Sequence, residues 1–401
     1  MSNFNLVIYF ILTCITFLLS IPILVVTAQL FISMVANRKQ VKWADDIELP
    51  KFAILMPAHN EELIIADTLA KLMNQSIAPS DVYLVADNCD DNTSTIAKTY
   101  GVNVIERVDN TLRGKGYALT HGLKVLKQSE KHYACVIILD ADCEIDKESL
   151  GKLAKYSVKN HVAVQALYLM RVVNQSSIKQ RIAGFAWLVK NKLRPLAMRT
   201  LGMPITLTGT GMAFPLDILR NVNFNNGNIV EDMQLGIDLT SQGHAPHLLP
   251  DAIVYSDFPQ EQNVEISQRT RWEHGHIRTI LNVLPLMIKT AIKKRNFKLF
   301  ALSLDIAVPP LALLVMLCLC YFLFLVLCQL YLQIDGLLTY FVSLLSLFFM
   351  AVFIAWWTSG REYLSLKDFL SIPYYVLGKI TIYINYIFKQ QVKWNKTKRD
   401  E

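Results

Sequence analysis

Long apolar stretches at both ends of the chain constrain its fold more than any other feature. Leu6 to Ala36 contains no charged residue, and about 20 apolar residues in a helix suffice to cross a bilayer. Residues 1–36 are therefore predicted to hold an N-terminal transmembrane helix. Leu299–Leu332 and Leu337–Trp357 are also long enough, which predicts two spans in a C-terminal membrane region over residues 299–401.

The N-terminal stretch has one alternative interpretation, a cleaved signal peptide, because Val26-Thr27-Ala28 resembles a processing site. The residues before it, Met1 to Asn5, carry no positive charge, and the apolar stretch continues beyond Ala28. Both features are atypical of a signal peptide. A retained transmembrane helix is the preferred interpretation.

Basic residues beside the apolar stretches predict the orientation of the region between them. Arg38, Lys39 and Lys42 follow the first stretch, and five basic residues from Lys289 to Lys298 precede the second. Because Lys and Arg beside spans are enriched on the cytoplasmic side, residues 37–298 are predicted to form one cytosolic domain. The protein is predicted to be a multi-pass protein of the plasma or inner membrane, in contact with membrane lipids.

A last apolar stretch, Phe369–Phe388, is interrupted by Pro373 and Lys379 and is followed by a basic tail from Lys389 to Arg399. An interfacial or re-entrant helix is favoured here, because a third C-terminal span would place the basic tail on the outer side of the membrane. A spanning helix is the alternative.

Cysteine spacing and charge exclude several classes of protein. The seven cysteines form no C-x-x-C pair, so neither a zinc site nor a disulfide framework is expected. Much of the net charge of +7 lies beside the predicted spans, where it would meet anionic headgroups. Nucleic acid is therefore not an expected partner.

The middle region alternates short apolar segments with amphipathic ones, a pattern typical of a parallel sheet with crossover helices. Strands are predicted over Phe52–Met56, Val82–Ala86, Val102–Ile105 and Ala134–Leu139. A helix capped by Asn60 is expected after the first strand. Polar clusters fall at the strand ends, and ligands of open α/β sheets bind at that edge. The predicted fold class is α/β.

Two carboxylates one residue apart, Asp140 and Asp142, come directly after the last of these strands. In an extended segment alternate side chains point the same way, so both can converge on a divalent cation. Mg²⁺ or Mn²⁺ fits such a site, because these ions accept carboxylate, water and phosphate oxygens. A solvated loop is the alternative. Asp87, at the end of the second strand, is a candidate partner for a nucleoside hydroxyl or base.

Two glycine-containing loops offer contacts to a ligand. Arg113-Gly114-Lys115-Gly116 precedes a helix, where a cation and free backbone donors can meet phosphate. Thr208-Gly209-Thr210-Gly211 is a small-residue loop in which a bulky ligand can approach the backbone. An ordinary turn is the alternative for both loops.

Two later segments carry further candidates. Glu231-Asp232 lies at a predicted helix start, so Asp232 is either a general base for an acceptor hydroxyl or a helix cap. Gln268–Trp272 contains Arg271, which can neutralise a departing diphosphate, and Trp272, which can stack on a sugar ring. A basic juxtamembrane helix is the alternative for this segment.

Taken in order, these segments resemble the membrane-bound family-two glycosyltransferases, which include cellulose, chitin, hyaluronan and poly-N-acetylglucosamine synthases. The resemblance covers roughly Phe52 to Gly275 and rests on this ordered set: Pro57-Ala58-His59-Asn60-Glu61, Asp87, Asp140-Ala141-Asp142, Glu231-Asp232 and Gln268–Trp272. It implies a GT-A-like α/β cytosolic domain flanked by transmembrane helices. It also implies an inverting transfer of a sugar from a nucleotide diphosphate sugar, with uridine diphosphate as the carrier, to a glycan acceptor.

The resemblance further implies roles for individual residues. Binding of the nucleotide sugar would fall to Pro57, Glu61, Asp87, Lys115 and Asp140. Asp140 and Asp142 would hold Mg²⁺ or Mn²⁺, and Asp232 would be the catalytic base. The diphosphate and the acceptor would contact Gln268, Arg271 and Trp272, and the acceptor channel would run along Gly209, Thr210 and Gly211.

Three functions remain compatible with the sequence. Synthesis of an exopolysaccharide or another cell-surface glycan is preferred, and the Gln268–Trp272 segment favours it. Transfer of one sugar to a polyprenyl-phosphate lipid is an alternative, because polymer synthases that export their product usually carry more spans than this chain. A catalytically inactive nucleotide sensor or scaffold is disfavoured, since all the acids that the chemistry needs are present.

Overall fold

The computed structural model of the chain describes residues 3–36, 48–75, 77–173, 175–219, 222, 224, 230–259, 262–332 and 336–388. Arg38, Lys39, Lys42 and the basic tail from Lys389 lie outside these residues. The cytosolic orientation that the basic residues predict therefore stays a prediction.

The described residues form two compact units, a helical unit and a sheet unit. With the gaps stated above, the helical unit contains residues 3–36, 172–201 and 276–388, and the sheet unit contains residues 48–171 and 202–275. Residues 172–201 and 276–298 group with the helical unit, so the chain leaves the sheet unit after Arg171 and returns to it at Gly202. The cytosolic domain predicted over 37–298 stays a prediction.

Helices and strands are numbered in chain order. The strands are β1 Phe52–Ala58, β2 Val82–Asp87, β3 Asn103–Arg107, β4 Cys135–Ile138, β5 Cys143–Ile145, β6 Val164–Met170, β7 Met212–Pro215 and β8 His247–Ser256. The helices are α1 Asn3–Val35, α2 Ile65–Met73, α3 Thr93–Thr99, α4 Lys115–Gln128, α5 Ser149–Asn160, α6 Ile178–Leu188, α7 Arg194–Thr200, α8 Glu231–Ser241, α9 Gln262–Asn282, α10 Leu284–Lys293, α11 Phe297–Ile306, α12 Leu311–Leu332, α13 Leu337–Ala355, α14 Ile372–Gly378 and α15 Ile380–Phe388.

The eight strands of the described residues form one sheet in the order β3-β2-β1-β4-β7-β6-β8-β5. Strands β3, β2, β1 and β4 are parallel to one another, and so are β6 and β8. Strand β7 is antiparallel to β4 and β6, and β5 is antiparallel to β8. Every residue of β2 and β6 is buried, as expected of strands covered on both faces. The mostly parallel sheet confirms the predicted α/β class.

The four strands predicted from the sequence are confirmed, with ends that shift by no more than two residues. The helix cap predicted at Asn60 is wrong, because α2 begins only at Ile65. Asn60 has a positive φ of 55°, which asparagine tolerates better than most residues. Its Oδ1 accepts a hydrogen bond from the Asp90 backbone N–H at 2.9 Å. Asn60 thus joins the loop after β1 to the loop after β2.

Helix α4 approaches the sheet closely at Gly122. A Cβ atom there would lie 2.5 Å from Leu55 Cδ1 and 2.7 Å from Val85 Cγ2, so only glycine lets this helix pack on β1 and β2. The same helix buries Leu119, Leu123 and Leu126 in the core of the sheet unit. Its first residue, Lys115, is thereby held over the carboxyl ends of the strands.

Three helices of the described chain are long and apolar enough to cross a membrane: Leu6–Val35, Leu311–Leu332 and Leu337–Gly360. The sequence predicts the second of them from Leu299 onward. The structure divides that stretch into α11 and α12, with Pro309 and Pro310 between them. Proline lacks a backbone N–H and disfavours helix in the preceding residue, which explains the break.

The stretch Phe369–Phe388 is not one helix. It contains the end of a 3₁₀ turn over Leu366–Ser371, then α14 with seven residues and α15 with nine. At 1.5 Å per residue neither helix reaches across a bilayer core of about 30 Å. The described part of this stretch therefore disfavours the spanning alternative, and an interfacial position stays a prediction.

Three buried polar side chains connect helices within the helical unit. Arg194 of α7 donates to Gln29 Oε1 of α1 at 2.8 Å and to Asp305 Oδ1 of α11 at 2.7 Å. Gln29 Nε2 donates to the same Asp305 oxygen at 2.7 Å. Each of these side chains has a partner for its charge or amide, as buried polar groups require. The network fixes α7 within the helical unit and explains why residues 172–201 belong to it.

Candidate active site

Lys115 lies at the centre of a group of acids at the carboxyl end of the sheet. Its Nζ is 2.5 Å from Asp140 Oδ1 and donates to the Gly209 carbonyl at 2.9 Å. Burial alone would lower the pKa of Lys115, but the charges of Asp140 and Glu231 outweigh burial and raise this pKa. The side chain is therefore a charged ammonium that joins the segment after β4 to the loop before β7.

Asp140 and Asp142 converge as predicted, but by a different local geometry. The Cys143 N–H donates to the Asp140 carbonyl at 3.1 Å, so Ala141 and Asp142 occupy a turn and not an extended segment. The side-chain ligand atoms of Asp140, Asp142 and Cys143 lie within 4.8 Å of one another. A turn brings the two carboxylates together because it reverses the chain between them.

The carboxylate oxygens in this turn fit a hard divalent cation. Both aspartates offer carboxylate oxygens, the ligand type that Mg²⁺ and Mn²⁺ prefer. Burial raises the pKa of the Cys143 thiol well above its usual value, and the charges of Asp142 and Asp140 raise it further. The thiol is therefore neutral and donates to Asp142 Oδ1 at 3.3 Å. It orients this carboxylate, and the carboxylate oxygens remain the candidate ligands.

Glu231 and Asp232 begin α8 on the other side of Lys115. Burial raises the pKa of Glu231 to about 7, and the charge of Asp232 adds to the rise while Lys115 and Arg271 oppose it. Glu231 is therefore partly protonated at neutral pH, which reduces repulsion within the pair. Asp232 Oδ1 accepts from the Met233 N–H at 2.8 Å, which holds the carboxylate at the start of the helix.

Gly209 lies close to both Asp232 and Lys115. A Cβ atom there would lie 3.2 Å from Asp232 Oδ2 and 3.3 Å from Lys115 Nζ. Its φ of +88° also favours glycine. A side chain at this position would therefore intrude between the candidate base and the ammonium group, and the acceptor-channel role of Gly209 stays a prediction.

Thr210 and Gly211 pack against the segments that surround the site. The Thr210 side chain is fully buried, and its Oγ1 accepts from the Asp140 backbone N–H at 3.0 Å. Gly211 packs against Val254 and Ala166. These contacts hold Asp140 and the loop in place, and the acceptor-channel role of the two residues stays a prediction.

Replacing Gly211 with alanine is expected to destabilise the sheet unit. The new Cβ would lie 2.7 Å from Val254 Cγ2 at a φ of +64°, so overpacking of about 1–3 kcal/mol adds to a left-handed backbone cost of about 1–2 kcal/mol. Gly243→Ala is the matched control, because its φ is +94° but no atom lies within 4 Å of its Cβ position. Thermal melts in detergent should show a clearly larger fall for Gly211→Ala. Equal falls would contradict the steric argument.

Asp87 ends β2 and is held by an arginine that sequence reasoning missed. Arg107 Nη1 is 2.5 Å from Asp87 Oδ1, and both side chains are almost fully buried. Arg107 also contacts Asp109 Oδ2 at 3.2 Å and the Leu112 carbonyl at 2.6 Å. Arg107 thus fixes Asp87, the residue predicted to bind the nucleoside, and the loop that leads to Lys115. The signal that could have found it is its place at the end of β3, directly opposite Asp87.

The loop after β1 also contacts Asp87. His59 Nδ1 donates to the Asp87 carbonyl at 2.6 Å, and the Glu61 N–H donates to Thr93 Oγ1 at 2.7 Å. Pro57 is the penultimate residue of β1, opposite Val85 of β2. The structure thus brings Pro57, Glu61 and Asp87 to the same edge of the sheet.

Helix α9 carries the remaining predicted residues. Gly275 packs on Val230, with its Cβ position 2.7 Å from Val230 Cγ1, so α9 contacts the residue that precedes Glu231. Arg271, one turn earlier, lies close enough to lower the pKa of Glu231. Trp272 is half-buried beside it. Gln268 lines a cavity of about 400 Å³ together with Asp142, Arg171 and Tyr255.

Comparison with known proteins decides the family. Residues 50–275, more than half of the chain, match the sequence model described as "Glycosyltransferase like family 2". The chain belongs to glycosyltransferase family 2. It is therefore a family-2 glycosyltransferase that uses nucleotide sugars, as the resemblance of its ordered motifs implies. The matched residues include the acids around Lys115 and the segment Gln268–Trp272.

Two curated relatives of this family-2 glycosyltransferase differ in how much of the chain they match. "Probable glycosyltransferase YdaM" of Bacillus subtilis (strain 168) is 25% identical over 91% of this chain and 91% of its own length. The "4,4'-diaponeurosporenoate glycosyltransferase" of Staphylococcus aureus (strain USA300) is 28% identical over 51% of this chain and 54% of its own length. The first relative therefore matches both units, and the second matches about half of each chain.

A solved structure supports the fold of the family-2 glycosyltransferase. The mannosyltransferase PcManGT from Pyrobaculum calidifontis, in complex with GDP-Man and Mn²⁺, superposes with a TM-score of 0.51 and 16% identity, over 85% of this chain and 99% of that one. At this identity the likeness concerns the fold alone. The predicted GT-A-like α/β fold is confirmed.

Proposed function

We propose that this family-2 glycosyltransferase catalyses an inverting transfer of a sugar from a nucleotide diphosphate sugar to a glycan acceptor at the cytosolic membrane face, in the synthesis of an exopolysaccharide or cell-surface glycan. One observation carries the proposal. Lys115 contacts Asp140 and reaches the backbone of Gly209, next to which Asp232 Oδ2 lies. A candidate donor-binding end and a candidate base thus both lie beside Lys115.

The donor end consists of the sheet edge and the turn after β4. The nucleoside would lie against Pro57, Glu61 and Asp87, with Asp87 held by Arg107. Asp140 and Asp142 would hold Mg²⁺ or Mn²⁺, and the mannosyltransferase from Pyrobaculum calidifontis binds Mn²⁺ with its nucleotide sugar. A divalent ion there would neutralise charge on the departing diphosphate. Lys115 and Arg271 would add fixed positive charge to the same group.

The acceptor end consists of Asp232 and α9. Asp232 would take the proton from the acceptor hydroxyl while that oxygen bonds to the anomeric carbon. The bond between the anomeric carbon and the diphosphate oxygen breaks in the same step, and its electron pair leaves with the diphosphate. A single displacement inverts the anomeric configuration and needs no second protein nucleophile. Trp272 would stack on the acceptor sugar and Gln268 would bind it by hydrogen bonds.

Transfer of a single sugar to a polyprenyl-phosphate lipid is the second candidate. The Staphylococcus aureus relative is named for 4,4'-diaponeurosporenoate, so the relatives of this chain are not confined to polysaccharide products. Both candidates use the same donor end and the same base. They differ only in the acceptor that α9 would contact.

Product analysis tests the proposal. Membranes that contain the full chain are incubated with Mn²⁺ and labelled UDP-linked and GDP-linked sugars, and the label is partitioned between organic extract and polymer. Label in a polymer supports glycan synthesis, and label in an organic-extractable monosaccharide lipid supports the second candidate. If no donor reacts faster with the wild type than with Asp232→Asn, the enzyme proposal fails and the inactive sensor or scaffold takes its place.

Substitution of Lys115 with methionine is expected to raise the KM for the nucleotide sugar by about 10-fold to 100-fold, because a charge-assisted contact contributes about 1.5–3 kcal/mol. Lys131→Met is the matched control. Lys131 also pairs with an acid, Asp81 at 2.7 Å, but Asp81 precedes β2 and lies at the opposite end of that strand from Asp87. Steady-state kinetics should show little change for the control. Similar KM values in both variants would contradict the role given to Lys115.

A further inference from the structure

The Lys115 ammonium contacts both oxygens of a carboxylate that is also a candidate ligand for the divalent ion. Its Nζ lies 2.5 Å from Asp140 Oδ1 and 2.6 Å from Asp140 Oδ2. Only about a quarter of each side chain is exposed, so solvent and salt screen this pair less than a surface pair. Lys115 therefore occupies the side of Asp140 from which both carboxylate oxygens can be reached together.

A divalent ion on Asp140 would lie very close to this ammonium. The ammonium is 2.5 Å from Asp140 Oδ1, and Mg²⁺ binds oxygen ligands at about 2.0–2.1 Å. An ion on the same oxygen would be no more than about 4.6 Å from Nζ, a separation at which like charges repel appreciably in a partly buried site. Lys115 and the ion are therefore competitors for Asp140.

Lys115 is the partner of this pair that can move. The Asp140 backbone N–H donates to Oγ1 of the buried Thr210 at 3.0 Å, which holds the carboxylate segment in place. The backbone next to Lys115 is closely packed too, because a Cβ atom at Gly116 would collide with the Phe224 carbonyl oxygen. The Lys115 side chain, in contrast, is a flexible four-carbon stem. Rotation of this side chain is enough to release Asp140.

A bound nucleotide diphosphate offers the released ammonium another anionic partner. Nζ also donates to the Gly209 carbonyl at 2.9 Å, and the charges of Glu231 and Asp232 act on it. A diphosphate held beside Asp140 would bring phosphate oxygens to the same place, and charge-assisted bonds from an ammonium to phosphate are strong. The ammonium can thus exchange one anion for another without leaving the site.

We infer that Lys115 holds Asp140 in competition with the divalent ion, and that the nucleotide diphosphate promotes binding of the ion by taking over the ammonium. Ion and nucleotide then bind cooperatively, and the coupling is reciprocal, since each favours the same rotation of Lys115. The inference rests on the proposed function for the assignment of Asp140 and Asp142 as ligands. It adds that the ion binds weakly when no nucleotide is present.

Purified full chain in detergent tests this exchange, with paramagnetic resonance of free Mn²⁺ as the measurement. Without nucleotide, Lys115→Met should bind Mn²⁺ about 10-fold to 100-fold more tightly than the wild type, because the ion no longer has to break a charge-assisted bond. Uridine diphosphate should raise the Mn²⁺ affinity of the wild type. The rise should be at least about tenfold smaller in Lys115→Met, after correction for the complex of Mn²⁺ with the nucleotide in solution.

Arg271→Met separates competition from general repulsion. It removes a positive charge that acts on Glu231 of the same group of acids, and it keeps the bond between Lys115 and Asp140. Its Mn²⁺ affinity without nucleotide should stay within about threefold of the wild type. An equal gain in both variants would show that Lys115 acts only by general repulsion and would overturn the inference. Unchanged or weaker Mn²⁺ binding by Lys115→Met would overturn it too.

A labelling measurement uses the wild type alone. Acylation of the Lys115 amine, quantified by mass spectrometry, should rise at least about threefold with saturating Mn²⁺, because an amine that has lost its acid partner is more readily deprotonated. Added uridine diphosphate should reverse the rise, and Lys131, which pairs with Asp81, should keep its rate. An unchanged rate at Lys115 would contradict the inference. If Asp142→Asn binds Mn²⁺ like the wild type, the metal site of the proposed function fails, and the inference fails with it.

Discussion

Asp232→Asn is expected to lower kcat about 10³-fold while the KM for the nucleotide sugar changes by less than about twofold, since a general base contributes about 10²–10⁴ to the rate. The amide keeps the shape of the carboxylate and can still accept from the Met233 N–H. It cannot take a proton from the acceptor hydroxyl. Initial rates at saturating Mn²⁺ and donor, together with donor binding by calorimetry, measure the two effects separately.

Asp238→Asn is the matched control for this experiment. Asp238 lies on the same helix, and its carboxylate accepts from Gln234 Nε2 at 2.8 Å. It is not part of the group around Lys115, so its activity should stay within about twofold of the wild type. A rate for Asp232→Asn that matches the Asp238→Asn rate would rule out Asp232 as the base.

Asp142→Asn is expected to raise the Mn²⁺ concentration needed for half-maximal activity by at least about 100-fold, because a neutral amide is a much weaker ligand for a hard dication than a carboxylate. A second readout does not depend on turnover. Paramagnetic resonance of free Mn²⁺ in the presence of uridine diphosphate should show weaker binding by the variant. Cys143 donates to the Asp142 carboxylate, and this contact can persist with the amide oxygen.

The control for Asp142 is Asp146→Asn, an exposed carboxylate four positions later. It carries the same loss of charge close to the site, so any general electrostatic effect on Mn²⁺ would appear in both variants. We expect the control to bind Mn²⁺ like the wild type. Comparable weakening by both substitutions would show that Asp142 acts through charge at a distance and not as a ligand.

Local sequence patterns predicted the parts of the fold that depend on them. Ala134–Leu139 is almost wholly apolar, and such a segment in an alternating pattern favours a buried parallel strand, which β4 confirms. Asp87, Asp140 and Lys115 reach one edge of the sheet because each follows or precedes a predicted element. The ordered motifs indicated a family-two glycosyltransferase, and the match over residues 50–275 confirms family 2, while the membrane-bound synthase group stays a prediction.

Features that depend on tertiary contacts were not predictable in the same way. Asparagine is a common helix-capping residue. Asn60 instead accepts a hydrogen bond from Asp90 and so joins two loops. The sequence around Thr210 suggests an open loop of small residues. In the structure the Thr210 hydroxyl accepts a hydrogen bond from the Asp140 N–H. Arg107 carries no local signal, since only the parallel pairing of β2 with β3 places it opposite Asp87.

The division of the chain into units also depends on long-range contacts. Residues 172–201 contain six basic residues and no acid, a composition equally compatible with a surface segment of a cytosolic domain. Long-range contacts place the segment in the helical unit, among them the bonds from Arg194 to Gln29 and Asp305 and the ion pair of Arg181 with Asp368. These partners are more than 100 residues away along the chain in both directions, beyond the reach of periodicity or motif spacing.

Because residues 172–201 belong to the helical unit, a soluble catalytic fragment cannot be made by simple truncation. A fragment cut at residues 48 and 275 would retain α6 and α7, whose buried Phe185, Leu188 and Leu196 would lose their cover and expose apolar surface prone to aggregation. Arg194 would lose both of its partners. A soluble fragment should therefore also replace residues 172–201 with a polar linker that can run the length of β8, because Arg171 bonds to Ser256 and Ile205 bonds to Pro246.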